Sequence, residues 1–242
     1  MTVGSGNFTA NSSPAQLLDA FRQAQGRQRQ RLLGTVLDQA PQLVEFVPMA
    51  LQAYDQAGDD WAAGSLIQLL MVHEGTTRAE FLRNHPQGWF IAPSAMGQDH
   101  QPLQQALATE AFEEADRLTM ASLRQMAGPA AVGRGYVFFS EVPAMARTDL
   151  DTIDRLWVAY SRGRYGFSVQ RRLLKAGGGR WEQLWSRLGW KQDGVWTRYP
   201  NQFTWRHAAP EGHMPLVNQL RGVRLMDALL NHPAITARCP DG

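Results

Sequence analysis

The sequence predicts an all-α protein: a small N-terminal helical bundle followed by a larger, mostly helical core domain. Three observations predict it. Apolar residues recur at three- and four-residue spacing along most of the chain. Apolar/polar alternation is not sustained over the length of a strand. Gly and Pro clusters punctuate the apolar stripes at helix-length intervals.

In chain order, Leu17, Leu18, Phe21 and Ala24 begin an amphipathic stripe that Leu32, Leu33, Val36 and Leu37 continue. Leu43, Phe46, Val47, Ala50, Leu51 and Tyr54 form the next, with Pro41 and Pro48 placed to start or bend helices. Gly58-Asp59-Asp60 reads as a stop and an N-cap for a helix opening at Trp61 and carrying Leu66, Leu69 and Leu70. Thr77 and Glu80 have capping-box spacing for a short helix through Phe81. These helices make a bundle over 1–88. Pro86, Gly88, Pro93, Gly97 and Pro102 then break the pattern, so 89–101 is assigned as a linker, with Trp89, Phe90 and Ile91 apolar enough to dock.

The core domain, 102–236, opens on a helix whose face carries Leu103, Leu107, Ala111, Ala115, Leu118 and Met126, ended by Gly128-Pro129. Tyr136 to Phe139 suits strand or helix equally. Ile153, Leu156, Trp157 and Tyr160 give a helix capped by Thr148 or Asp149. Trp181, Leu184, Trp185 and Leu188 follow at i, i+3, i+4 and i+7. Leu216, Leu220, Val223 and Leu230 mark a final long helix before a tail over 237–242.

Composition narrows the function. A chain of 242 residues, 44% apolar, builds a full core. The single cysteine, Cys239, excludes an internal disulfide and a cysteine-cluster metal site. No apolar run reaches the roughly 18 residues of a membrane span, and the polar stretch Met1–Ser13 reads as a frayed tail without a secretory signal. The expectation is a cytoplasmic monomer, at most peripheral on membranes.

Charge and aromatics are unevenly placed. Arg162 to Arg206 holds ten Lys or Arg against two acids, Glu182 and Asp193. Of 23 aromatic residues, fourteen lie between Tyr136 and Trp205. Trp157, Trp181 and Trp185 sit at helical core spacing. Phe167, Trp196, Tyr199, Phe203 and Trp205 sit close to Arg171, Arg172, Arg198, Arg206, Arg221 and Arg224. The aromatics from Trp196 to Trp205 lie in loop-like sequence and suit either core or a ligand surface. A planar apolar ring bearing carboxylates would satisfy both residue types: ring faces stack on aromatics, and carboxylates pair with guanidinium forks. Arg221 and Arg224 are three apart and share a helix face with Asn218.

Catalytic constellations are not found. His207 and His213 lack helical metal-pair spacing, His73-Glu74 lacks a second histidine, and Gly163–Gly166 lacks the Lys-Ser/Thr of a phosphate loop. Ser161 and Ser168 have no evident base.

The runs Thr152-Ile153-Asp154-Arg155-Leu156-Trp157, Gly166-Phe167-Ser168-Val169-Gln170, Gly189-Trp190 and Ala209-Pro210-Glu211-Gly212-His213-Met214-Pro215 resemble the genomes-uncoupled-four family over nearly all of 100–236. The N-terminal segment is similar to the extra bundle of cyanobacterial members. The resemblance implies a helical core cupped around a greasy palm. The palm binds protoporphyrin IX and its magnesium chelate and stimulates magnesium chelatase together with that enzyme's large porphyrin-binding subunit, with no catalytic residues and no nucleic acid involved. Carried over by motif, the palm comprises Phe139, Phe167, Trp196, Tyr199, Phe203 and Trp205, with Arg221, Asn218 and Arg224 at the propionates. Tyr199 stands where related sequences are expected to have tryptophan. The competing readings are a single-stranded nucleic-acid binder, a bilin- or heme-modifying enzyme using the same cup, and a protein-interaction module run by the N-terminal bundle.

Overall fold

The computed structural model describes residues 13–217 and 223–239. Its helices are α1 (Pro14–Gln23), α2 (Gly26–Asp38), α3 (Ala40–Leu43), α4 (Val47–Leu51), α5 (Trp61–Val72), α6 (Thr76–Asn84), α7 (Gln101–Ala108), α8 (Phe112–Ala127), α9 (Pro129–Arg134), α10 (Arg147–Tyr160), α11 (Phe167–Ala176), α12 (Trp181–Arg187), α13 (Val223–Leu230) and α14 (Pro233–Arg238). Short 3-10 turns occupy Val44–Phe46 and Phe139–Ala144. Among the described residues the only sheet is a hairpin, β1 (Lys191–Gln192) with β2 (Val195–Trp196), in the register Lys191↔Trp196 and Gln192↔Val195. Asp193 and Gly194 supply its two positive-φ positions, the chemistry a two-residue hairpin turn requires. The all-α reading holds.

Local chemistry explains the helix starts. Ser13 and Gln16 form a capping box on α1, with Pro14 in the first turn. Asp60 accepts the Ala62 N–H at 2.9 Å to cap α5 and pairs with Arg29 at 2.6 Å. α5 is buried on every face from Ala62 to Met71, which makes it the central helix. It meets α10 at Gly64, where a Cβ would lie 2.1 Å from the Ala159 carbonyl oxygen; only glycine permits that approach. Gln68 donates to the carbonyls of Leu107 (3.0 Å) and Tyr160 (2.7 Å), tying α5 to the ends of α7 and α10.

The segment 89–101 has no helix or strand before Gln101, yet part of it docks, while Ile91 and Met96 stay exposed. Trp89 and Phe90 are buried. Gln104 accepts the Phe90 N–H (2.7 Å), and Arg155 donates to the Ile91 carbonyl (2.7 Å). Asp149 accepts the Ser94 hydroxyl and the Ala95 N–H (2.9 Å). One continuous apolar core runs from Leu17 to Ile235.

Four local expectations need correction. The helix expected over 103–126 is two, α7 and α8. The chain turns at Glu110, whose φ is 56°, and the Ala111 N–H closes back on the Ala106 carbonyl at 2.8 Å. The turn delivers Phe112 to the core against Trp157. α10 starts one residue before Thr148 without a side-chain cap, because Asp149 is committed to Ser94 and Ala95. Thr77 does not cap α6; Gly75 precedes that helix, and the Thr77 hydroxyl donates to Glu45. The final helix, expected to carry Leu216, Leu220, Val223 and Leu230, is described as α13 from Val223 to Leu230; Leu216 lies outside it, and Leu220 falls outside the described residues.

Candidate functional site

The site grows out of a platform built by the motif residues. Gln170, buried on α11, donates to the carbonyls of Gly212 (2.9 Å) and Pro215 (2.8 Å). The Gly166 N–H donates to Met214, and the Gly212 N–H donates to Arg164. Gly212 has φ 76°, and a Cβ there would strike Leu188 and Leu173. His213 bridges two segments: Nδ1 donates to the Leu188 carbonyl at 2.6 Å, and Nε2 accepts the Thr204 N–H at 3.3 Å. Burial keeps the His213 pKa below the ordinary histidine range, so the neutral ring that can do both persists. The Trp190 indole donates to the His213 carbonyl at 2.8 Å and stacks on Trp185 with centroids 5.7 Å apart.

On this platform stand the hairpin and the loop after it. Thr197 binds back to Trp190 through its N–H (2.9 Å) and to Gly189 through its hydroxyl (2.9 Å). Phe203 and Trp205 stack at 5.4 Å, and the Tyr199 ring meets both edge-on at 5.6 and 5.8 Å. Lys191 lies over Trp196 at 5.3 Å.

Opposite runs the outer face of α8. Between them lies a cavity of about 630 Å³ lined by Asp116, Arg117, Met120 and Arg124 of α8, Gly135–Val137, Trp196–Tyr199, Leu216 and Leu225. That volume is within the usual range for a small-molecule site. A shallower hollow of about 390 Å³ adjoins it, lined by Glu110–Glu114, Arg117, Tyr199 and Trp205. Tyr199 and Arg117 border both hollows. The main cavity thus offers aromatic and aliphatic walls with three guanidinium groups, Arg117, Arg124 and Arg198. The buried Asp116 carboxyl accepts the Leu216 N–H at 2.6 Å. Burial raises its pKa to about 7, against the lowering effect of the Leu216 and Tyr199 contacts. Burial and the Asp116 carboxylate push the Tyr199 hydroxyl up to about 12.

The expected site residues divide. Trp196 and Tyr199 line the main cavity, and Trp205 lines the adjoining hollow. Phe203 is buried, stacked with Trp205 and met edge-on by Tyr199. Phe139 is exposed with the Arg224 guanidinium 5.5 Å above its ring, outside the set lining the cavity. Phe167 is a correction: it is wholly buried at the start of α11 and offers a ligand no surface. Asn218 and Arg221 lie outside the described residues. Of the other arginines, Arg171 is buried and donates to the Leu230 carbonyl, Arg172 pairs with Glu211, and Arg198 reaches the cavity. Sequence reasoning missed Asp116, Arg117, Met120, Arg124, Tyr136, Val137 and Leu225. The available signal was the face of α8 opposite its apolar stripe, where Arg117, Met120 and Arg124 stand at i, i+3 and i+7.

Among the described residues no group of three or more His, Cys, Asp or Glu side chains is placed to hold a metal ion, and no helix is long and apolar enough to cross a membrane.

Comparison with known proteins places this geometry. A family model described as GUN4-like matches residues 93–233. The chain is 46% identical over 173 residues to a "Ycf53-like protein" of Synechocystis, covering 71% of this chain and 74% of that one. It is 38% identical over 141 residues to the "Tetrapyrrole-binding protein, chloroplastic" of Arabidopsis thaliana, covering 54% of this chain and 53% of that one. The solved structure of GUN4 from Chlamydomonas reinhardtii superposes with a TM-score of 0.57 at 36% identity, over 60% of this chain and 93% of that one.

Proposed function

The chain belongs to the GUN4-like family, and on that premise we propose that it binds a tetrapyrrole in the cavity between α8 and the Trp196–Tyr199 segment. The observation that carries the reading is the composition of that cavity. Trp196, Tyr199, Tyr136, Met120, Val137, Leu216 and Leu225 offer apolar faces to a flat ring, while Arg124 and Arg198, with Arg117 beside them paired to Glu114, supply the cations for its carboxylates. Ring burial supplies affinity at about 25 cal/mol per Å² removed from water, and paired guanidinium groups fix the orientation of the propionate edge.

The finer reading is protoporphyrin IX and its magnesium chelate as ligands. The chain then acts without catalysing a step itself: it presents the porphyrin to, or withdraws it from, the large porphyrin-binding subunit of magnesium chelatase. Any membrane association is peripheral.

Titration of the purified protein with deuteroporphyrin IX, a water-soluble analogue, tests the binding reading. Tryptophan quenching and the Soret band are followed at low and high salt. Saturable binding with a red-shifted Soret band, little changed by salt, is expected, because apolar burial is not screened. Absence of saturable binding overturns it. A steep loss of affinity for single-stranded nucleic acid with salt would point instead to a phosphate-backbone ligand. Stimulation of magnesium chelatase by the added protein, lost in variants that no longer bind the porphyrin, tests the regulatory part.

A further inference from the structure

The rings that frame the cavity are held from below, but Tyr199 is also met from the side. Asp116 is fully buried in the middle of α8. One carboxyl oxygen, Oδ1, accepts the Leu216 N–H. The other, Oδ2, is buried with no hydrogen bond among the described residues. Asp116 and Tyr199 line the same cavity, and the Tyr199 hydroxyl lies near enough to lower the carboxyl's pKa while Oδ2 keeps no hydrogen bond among the described residues. A buried carboxyl oxygen without a donor costs free energy, and the Tyr199 O–H is the donor positioned to relieve it. Tyr199 in turn borders both hollows.

We propose that Asp116 is a positioning residue for the ligand site: its carboxyl draws the Tyr199 hydroxyl inward, and so sets where the Tyr199 ring stands as the partition between the two hollows. The claim about ligand affinity rests on the tetrapyrrole reading above; the claim about Tyr199 does not. The ionised carboxyl is the stronger acceptor. Tyr199 is therefore held most firmly when Asp116 carries charge, and its ring is presented to a bound ring at lower entropic cost. The ionisable groups bearing on this pair are Glu113, one turn earlier on α8, and Arg117, which faces Tyr199. The ionisation point of Asp116, raised by burial to about 7, places the change near neutrality.

Two variants separate the parts. Asp116→Asn keeps the shape and removes the charge. Tyr199→Phe keeps the ring and removes the donor. Deuteroporphyrin IX affinity of the unaltered protein is expected to fall roughly three- to tenfold as pH drops through neutrality, a range corresponding to loss of about one hydrogen bond. Both variants are expected to lie near the low-pH affinity at every pH, with the inflection gone. In ligand-free protein at pH 8, amide hydrogen exchange over 195–205 is expected to quicken in both. Unchanged exchange over 195–205 in both folded variants overturns the proposal, as does a pH inflection that survives Asp116→Asn. Faster exchange in the variants of a protein that binds no porphyrin at any pH supports the positioning of Tyr199 and sinks the tetrapyrrole reading alone.

Discussion

The aromatic residues of the core domain form two populations of the same chemistry and opposite circumstance. In the platform, Trp157, Trp190, Tyr165 and Phe112 are essentially inaccessible, and each polar tip has a protein partner. The Trp157 indole donates to Thr119 at 2.9 Å, Trp190 to the His213 carbonyl, and the Tyr165 hydroxyl to the Arg206 carbonyl at 2.8 Å. At the rim, Trp196 and Tyr199 remain 36% and 44% exposed, Trp196 tilted against Trp185 and Tyr199 edge-on to Phe203 and Trp205. A buried aromatic with a bonded tip stabilises the fold; an aromatic with one free face is held ready for something flat. Aromatic density marks the region of the site, while burial decides which rings belong to it.

Platform and rim are expected to respond differently to truncation. The largest effect is expected for Trp190→Ala, which removes a stacked core ring and leaves the His213 carbonyl without its donor. A loss of about 3–5 kcal/mol in urea unfolding is expected, with porphyrin binding lost only in proportion to the unfolded fraction. Gln170→Leu should cost about 1–3 kcal/mol by the same assay, since two buried carbonyls lose their donor. Trp196→Ala should do the reverse. Its unfolding midpoint should shift by less than about 1 kcal/mol, while deuteroporphyrin affinity falls roughly tenfold through lost stacking and burial. Arg124→Ala is expected to be the smallest, with stability within about 0.5 kcal/mol and affinity lowered a few-fold, because a partly exposed cation contributes little after solvent screening. A Trp196→Ala protein as unstable as Trp190→Ala would dissolve the distinction.

The motif runs that carry the family resemblance are mostly platform. Thr152, Asp154, Trp157, Phe167, Gln170, Trp190, Gly212, His213 and Met214 are all buried, or enclosed where a Cβ would not fit. Asp154 accepts the Ser168 N–H at 2.9 Å and the Arg238 guanidinium at 2.6 Å, joining the starts of α11 and the end of α14. These residues hold the loop that carries the site, and Phe167 belongs with them.

The helix class, the start of α5 at Asp60 and the placement of Leu17, Phe21, Leu66 and Leu103 in the core were determined by the sequence alone. Periodicity and capping act within a few residues, where the backbone's own hydrogen bonds set the geometry. So was the neighbourhood of the site, through the crowding of aromatics and cations after Tyr136. Tertiary structure decided the rest. The apolar stripe through Leu107 and Ala115 does not register the turn at Glu110, because both sides of the break keep facing the core. Nothing local distinguishes Phe167, sealed beneath the loop, from Trp196, open above it. Asp116 and Arg124 enter the site only because the hairpin, some 70 residues later, folds back across α8. Side-chain exposure is a property of what arrives from elsewhere in the chain, and no spacing along a single helix encodes it.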